Sequence, residues 1–158
     1  MQALNAQRKA FLDMLAWSEG TDKPGQPTKN HGYDVIVGGS LFTSYADHPR
    51  KLITLNPRLK STAAGRYQLL SRYWDAYRSQ LGLRDFSPAS QDAVALQQIK
   101  ERRALQLIDE GYIRQAIDRC SNIWASLPGA GYGQHEHKVE NLLKKFKEAG
   151  GFIAEPKA

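Results

Sequence analysis

The stretch Leu12-Asp13-Met14-Leu15-Ala16-Trp17-Ser18-Glu19-Gly20-Thr21-Asp22-Lys23-Pro24-Gly25 decides the fold, because the chain changes character inside it. Upstream, Leu4, Phe11, Leu12 and Leu15 recur at helical spacing, with Arg8, Lys9 and Asp13 on other faces. Gly20 stands where a left-handed residue ends a helix. From Thr21 to Ala64 the chain is interrupted by Pro24, Gly25, Pro27, Asn30, Gly32, Gly38, Gly39, Pro49 and Pro57, which no long helix tolerates. Inside that region Tyr33-Asp34-Val35-Ile36-Val37, then Gly38-Gly39, then Leu41-Phe42 read as strand, turn and second strand. A small sheet with mobile loops is therefore expected after the first helix.

Helical spacing returns beyond Gly65. Leu70/Trp74 and Tyr73/Tyr77/Leu81 are helical neighbours, and Gly82 closes the run. Ser87-Pro88 is a start signal, an N-cap hydroxyl followed by proline at the first helical position, for a helix expected to reach about Leu107. Ile113, Ile117, Cys120 and Trp124 form a stripe that predicts a helix ending near Ser126. Pro128–Gly133 reads as a flexible loop. Val139, Leu142, Leu143 and Phe146 then share one face of a last helix, closed by Gly150-Gly151. The expected fold class is α+β, mostly helical with a small antiparallel sheet in the N-terminal third.

The 158 residues and 17.7 kDa suit one domain, read as spanning 1–158. Hydrophobic residues at 41% and charged residues at 24% are ordinary for a globular chain and argue against wholesale disorder. One cysteine, Cys120, excludes an intramolecular disulfide and a Cys-rich zinc module, and its place in an apolar stripe marks it as a buried small hydrophobe. The N-terminus lacks the unbroken apolar segment of a signal peptide, and no apolar run approaches the ~20 residues of a membrane span. The net charge of +6 favours a polyanionic partner: nucleic acid, anionic lipid or an acidic cell-wall polymer.

Chemistry centres on Glu19. At the C-terminus of a helix the dipole contributes negative partial charge, which disfavours a carboxylate, and burial beside Leu15 or Trp17 acts the same way. An acid held protonated near neutral pH is what protonating a glycosidic oxygen requires. In Ala64-Gly65-Arg66-Tyr67-Gln68-Leu69, Gly65 allows close backbone approach, Tyr67 offers a ring to a sugar face and Gln68 an amide to an N-acetyl or hydroxyl group. Trp124 and Tyr132 flank the Pro-Gly loop as sugar platforms, whereas Trp74, Tyr73 and Tyr77 read as core. The segments Arg50–Lys60, broken by Pro57, and Leu127–Gln134, rich in Gly with Pro128, are read as moving jaws. His135 and His137 are two residues apart and point away from each other on a helix, so neither they nor His31 and His48 suggest a metal site. His31 is expected to hydrogen-bond within its loop.

Four stretches, taken together, resemble the lambda-type phage endolysins. They are Gln7–Thr21, Asn30–Gly39, Gly65-Arg66-Tyr67-Gln68-Leu69-Leu70, and Ala125-Ser126-Leu127-Pro128-Gly129-Ala130-Gly131-Tyr132-Gly133-Gln134, and the likeness runs nearly unbroken from Gln7 to Gly151. The resemblance implies a lysozyme-like fold with two lobes around a substrate cleft. It implies a peptidoglycan lytic transglycosylase, with Glu19 catalytic and Ser18, Tyr33, Asp34, Tyr67, Gln68, Trp124, Tyr132 and Gln134 meeting substrate. Such an enzyme breaks the MurNAc–GlcNAc β-1,4 bond, leaves a 1,6-anhydro-MurNAc end and lyses the host. The implied protein is a monomer that uses no cofactor or metal and binds no nucleic acid. It waits in the host cytoplasm, without stable membrane insertion, until a separate holin opens a path to the wall.

Two rival readings follow. A hydrolytic muramidase would need a second carboxylate, for which Asp34 is the first candidate and Asp22 and Asp47 stand behind it. A basic nucleic-acid module would draw on Arg102-Arg103, Lys144-Lys145 and Lys147, yet basic residues are spread over every predicted helix instead of one groove-reading element.

Overall fold

The computed structural model describes residues 2–130 and 136–154. Its element order is α1 (Ala6–Glu19), β1 (Ile53–Asn56), β2 (Leu59–Ser61), α2 (Ser71–Leu81), α3 (Pro88–Glu101), α4 (Leu105–Glu110), α5 (Ile113–Cys120) and α6 (Val139–Glu148). The architecture is mostly helical with one small two-stranded antiparallel sheet. No helix among the described residues is long and apolar enough to cross a membrane.

The chain divides into two compact units, one of residues 1–18 with 95–158 and one of residues 19–94. In the first, α1 starts at an Asn5 cap: its side-chain oxygen accepts the Arg8 backbone N–H at 2.8 Å. Phe11, Met14, Leu15, Ile99, Ile108, Ile113, Ile117, Leu142 and Phe146 are among this unit's buried apolar residues, and Cys120 is buried as expected. Gly151 is required by packing, since a Cβ there would strike the Phe146 ring.

In the second unit Ala64, Leu69, Trp74, Phe86 and Val94 form the core, with Phe42, Tyr77, Leu81 and Leu83 packed on it. Trp74 meets Phe86 edge-on, ring centres 5.0 Å apart. Trp74 is thus core as expected and Tyr77 partly so, whereas Tyr73 is 46% exposed, a correction. The start of α3 follows its sequence signal, with Ser87 Oγ accepting the Ser90 N–H at 3.3 Å.

Four further expectations are corrected. Val35 pairs with Leu41 and Ile36 with Ala64 through single bridges only, so Tyr33–Phe42 turns back as expected without becoming two strands. Gly38 and Gly39, at φ +91° and +104°, make that turn. The Val37 N–H donates to Ala63 O at 2.9 Å and Val35 O accepts the Gly65 N–H at 2.8 Å, so the segment pairs with 63–65 instead of extending its own ladder. The sheet lies instead in the segment read as a mobile jaw: Ile53 pairs with Ser61, Thr54 with Lys60 and Asn56 with Leu59. The Asn56 side chain accepts the Arg58 N–H at 2.9 Å and so closes the turn through Pro57. The helix expected to run to Leu107 ends at Glu101: Arg103 takes φ +57°, its N–H reaches Lys100 O at 2.9 Å and that of Ala104 reaches Ile99 O at 3.1 Å. Finally α5 stops at Cys120, and Trp124 reaches its buried place through turns instead of a helix extending to Ser126.

Candidate active site

Glu19 is the last residue of α1, half-buried, and Gly20 follows it at φ +80° to turn the chain out of the helix. Its flanking residues are fixed. Ser18 is buried and its hydroxyl lies 2.7 Å from that of Ser126. Thr21, only 1% exposed, donates its hydroxyl to the Arg66 carbonyl at 2.6 Å. Gly32 comes so close that a Cβ there would lie 2.7 Å from Thr21 O, which explains the glycine.

Arg66 organises the second unit around this turn. Its guanidinium donates to His31 O at 2.8 Å, to Tyr67 Oη at 3.1 Å and to Asp22 at 3.1 Å, and lies 5.3 Å from the centre of the Tyr33 ring. His31 thus enters the loop network through its backbone, at φ +50°. Tyr33 and Tyr67 both donate to Asp92 Oδ1, at 2.9 and 2.6 Å. Burial, reinforced by the Asp92 charge, pushes the Tyr33 phenol up to about 12. Burial likewise raises the Tyr67 phenol well above its ordinary value. Both phenols are therefore permanent donors near neutral pH.

The Gly65–Gln68 motif is a tight turn between the paired residues Ala64 and Leu69, not the plain start of a helix. Gly65, at φ +86°, is demanded by Gln91, whose amide oxygen a Cβ would strike and which accepts the Arg66 N–H at 2.8 Å. Gln68 sits at φ +55° with its amide donating to Gly65 O at 2.9 Å and Val35 O at 3.3 Å. Tyr67 is 6% exposed and Trp124 3%. Tyr33 is half-buried. Tyr132 and Gln134 lie outside the described residues.

Asp34 is 4% exposed, and both its oxygens are engaged: Oδ1 accepts the Thr28 hydroxyl and Oδ2 the Lys29 N–H at 3.0 Å. Thr28 Oγ1 in turn accepts the N–H groups of Asn30 and Gly32, so Asp34 fastens the loop that presses on Thr21. Of the other carboxylates, Asp22 pairs with Arg66, while Asp47 sits in a surface network with Arg50, Trp74 and Arg78. The reading from sequence passed over Arg66 and Asp92. The available signal was the place of Arg66 inside the Gly65–Gln68 motif; nothing local marks Asp92.

The geometry can be set beside known proteins. The family model described as Endolysin matches residues 9–153. The endolysin of Escherichia phage lambda is 79% identical over 155 residues, covering 98% of each chain. The chain belongs to the endolysin family. The endolysin of Escherichia phage P2 is 57% identical over 156 residues, covering 92% of this chain and 93% of that one. Among solved structures, bacteriophage lambda lysozyme complexed with a chitohexasaccharide superimposes with a TM-score of 0.97 at 78% identity, covering 98% of this chain and all of that one. Lysozyme from bacteriophage lambda gives 0.92 at 77% identity, with the same coverage. The expected lysozyme-like fold of this endolysin is thereby established, down to the small antiparallel sheet.

Proposed function

We propose that this endolysin cleaves the MurNAc–GlcNAc β-1,4 bond of peptidoglycan by lytic transglycosylation, with Glu19 as both acid and base. The neutral Glu19 carboxyl gives its proton to the leaving glycosidic oxygen as the C1–O bond breaks. The resulting carboxylate takes the proton of the MurNAc 6-hydroxyl as that oxygen bonds to C1, and Glu19 ends neutral again. The nucleophile belongs to the substrate, so high effective molarity replaces an activated water. A hydrolase would need a second carboxylate to activate water or form a covalent intermediate.

The observation that carries this reading is the state of Asp34. The residue best placed in sequence for that second role is buried, with both oxygens committed to its own loop. The chitohexasaccharide complexed with the similar lambda lysozyme supports a polysaccharide substrate. Of the residues assigned to the sugars, Tyr33 is half-buried with its ring against Arg66, Gln68 is half-buried, and Ser18, Asp34, Tyr67 and Trp124 are buried. Access to the wall through a separate holin and action as a monomer belong to the same proposal. Turbidity of permeabilised Gram-negative cells tests it: wild type should clear the suspension and Glu19→Gln should not. Clearing by Glu19→Gln would contradict it.

A further inference from the structure

The last carbonyls of a helix have no partner within it. In α1 one of these belongs to Ser18, and it is half of the peptide bond that leads into Glu19. His137, from the segment preceding α6, donates its Nε2–H to that carbonyl at 3.0 Å. The imidazole also lies against the Trp17 ring, centres 4.5 Å apart and planes inclined by 42°. His137 is itself fixed, since its backbone N–H donates to Ser126 O at 2.8 Å, and the Ser126 hydroxyl meets that of Ser18 at 2.7 Å. From α6, Lys145 places its ammonium 5.3 Å from the centre of the Trp17 ring and pairs with Glu148 at 3.2 Å. Two consecutive residues ahead of Glu19 are thus held, Trp17 by its ring and Ser18 by its carbonyl and its hydroxyl.

We propose that His137 is a positioning residue for catalysis, fixing the Ser18–Glu19 peptide and through it the Glu19 carboxyl. The proposal rests on Glu19 being the catalytic acid. A misplacement of ~1 Å at a reacting group can cost about 100-fold in rate, so a bond that anchors the preceding peptide controls turnover more than binding. Histidine suits the task because it combines a flat ring for Trp17 with an N–H at its far end. Phenylalanine offers the ring alone, glutamine the donor alone.

The test measures kcat and KM on purified soluble murein strands for His137→Phe, His137→Gln and Glu19→Gln, with thermal unfolding alongside. His137→Phe should lower kcat about tenfold or more with KM within about twofold, and His137→Gln should recover most of the loss. In the wild type, nitrogen NMR should find Nε2 of His137 carrying a slowly exchanging proton. An Nε2 without a proton, wild-type kcat in His137→Phe, a loss confined to KM, or no recovery in His137→Gln would each overturn the positioning role. Activity in Glu19→Gln would overturn it together with the reading of Glu19. An inactive Glu19→Gln beside a fully active His137→Phe would overturn the positioning role alone.

Discussion

Tyr67 donates its phenolic proton to Asp92 across 2.6 Å, and Tyr33 shares the same carboxylate oxygen at 2.9 Å. One acidic side chain thereby fastens a residue of the Gly65–Gln68 turn and a residue of the 28–35 loop to α3. The two bonds differ in burial, and their energies should differ accordingly.

Tyr67→Phe removes the more buried donor, on a residue 6% exposed, and leaves a charged acceptor less satisfied. A loss of about 1.5–3 kcal/mol is expected, the range for hydrogen bonds to charged groups. Tyr33→Phe, at a half-buried position, should cost about half as much. Urea unfolding of both variants checks the order, and a larger loss for Tyr33→Phe would contradict the network.

The Gly65–Gln68 turn makes a second claim about stability. Gly82→Ala, at φ +66° with open space around it, should cost about 1–2 kcal/mol for the left-handed backbone alone. Gly65→Ala adds a collision with Gln91 and disturbs the buried bond to Arg66, so about 2–4 kcal/mol is expected. Equal melting temperatures would show that Gln91 does not set the requirement.

Acid should weaken the fold in two separate windows. His48 is buried, with Nε2–H donating to Leu69 O at 2.8 Å and Nδ1 accepting the Arg50 N–H at 2.9 Å. Desolvation lowers its pKa below the ordinary value, so the unfolded chain takes up a proton first. Its contribution is complete above the unfolded value of ~6.5 and is lost as pH falls below that. Asp47, held at about 2 chiefly by its hydrogen bond to Arg50, contributes above the unfolded value and loses that contribution between ~3.9 and about 2. Denaturant midpoints across pH should fall in both windows. His48→Gln should flatten the first and Asp47→Asn the second; unchanged slopes would contradict these assignments.

Electrostatic recruitment gives a prediction about activity. A chain of net charge +6 acting on a wall that carries peptide carboxylates should clear cells more slowly as salt rises. The screening length drops from ~10 Å at 0.1 M to ~3 Å at 1 M. Rates independent of salt would rule out long-range attraction as the means of recruitment.

Much of the helical frame was legible because its signals are local. Gly20, Gly82 and Ser87-Pro88 mark boundaries that need no knowledge of the rest of the chain. The break at Arg103 was not, since a non-glycine residue takes the left-handed position there at a cost of about 1–2 kcal/mol, while Ala104, Leu105 and Ile108 beyond it are buried. The hairpin Ile53–Ser61 was hidden by Pro57, which reads as an interruption but sits in the turn itself. At the site, Glu19 stood out from its helix end and from family resemblance. Arg66 and Asp92 did not, because a charge in a sequence is most often solvated, and only tertiary pairing shows that these two are partnered.

Mass spectrometry of a murein digest tests the central claim most directly. Wild type should release muropeptides with 1,6-anhydro-MurNAc ends, lighter by one water than hydrolysis products. Glu19→Gln should release none, since an amide can neither give the proton to the leaving oxygen nor accept that of the 6-hydroxyl. Asp34→Asn should release the same anhydro products at a substantial rate. Reducing MurNAc ends from the wild type, with Asp34→Asn as inactive as Glu19→Gln, would contradict the single-carboxylate mechanism and make the enzyme a hydrolase.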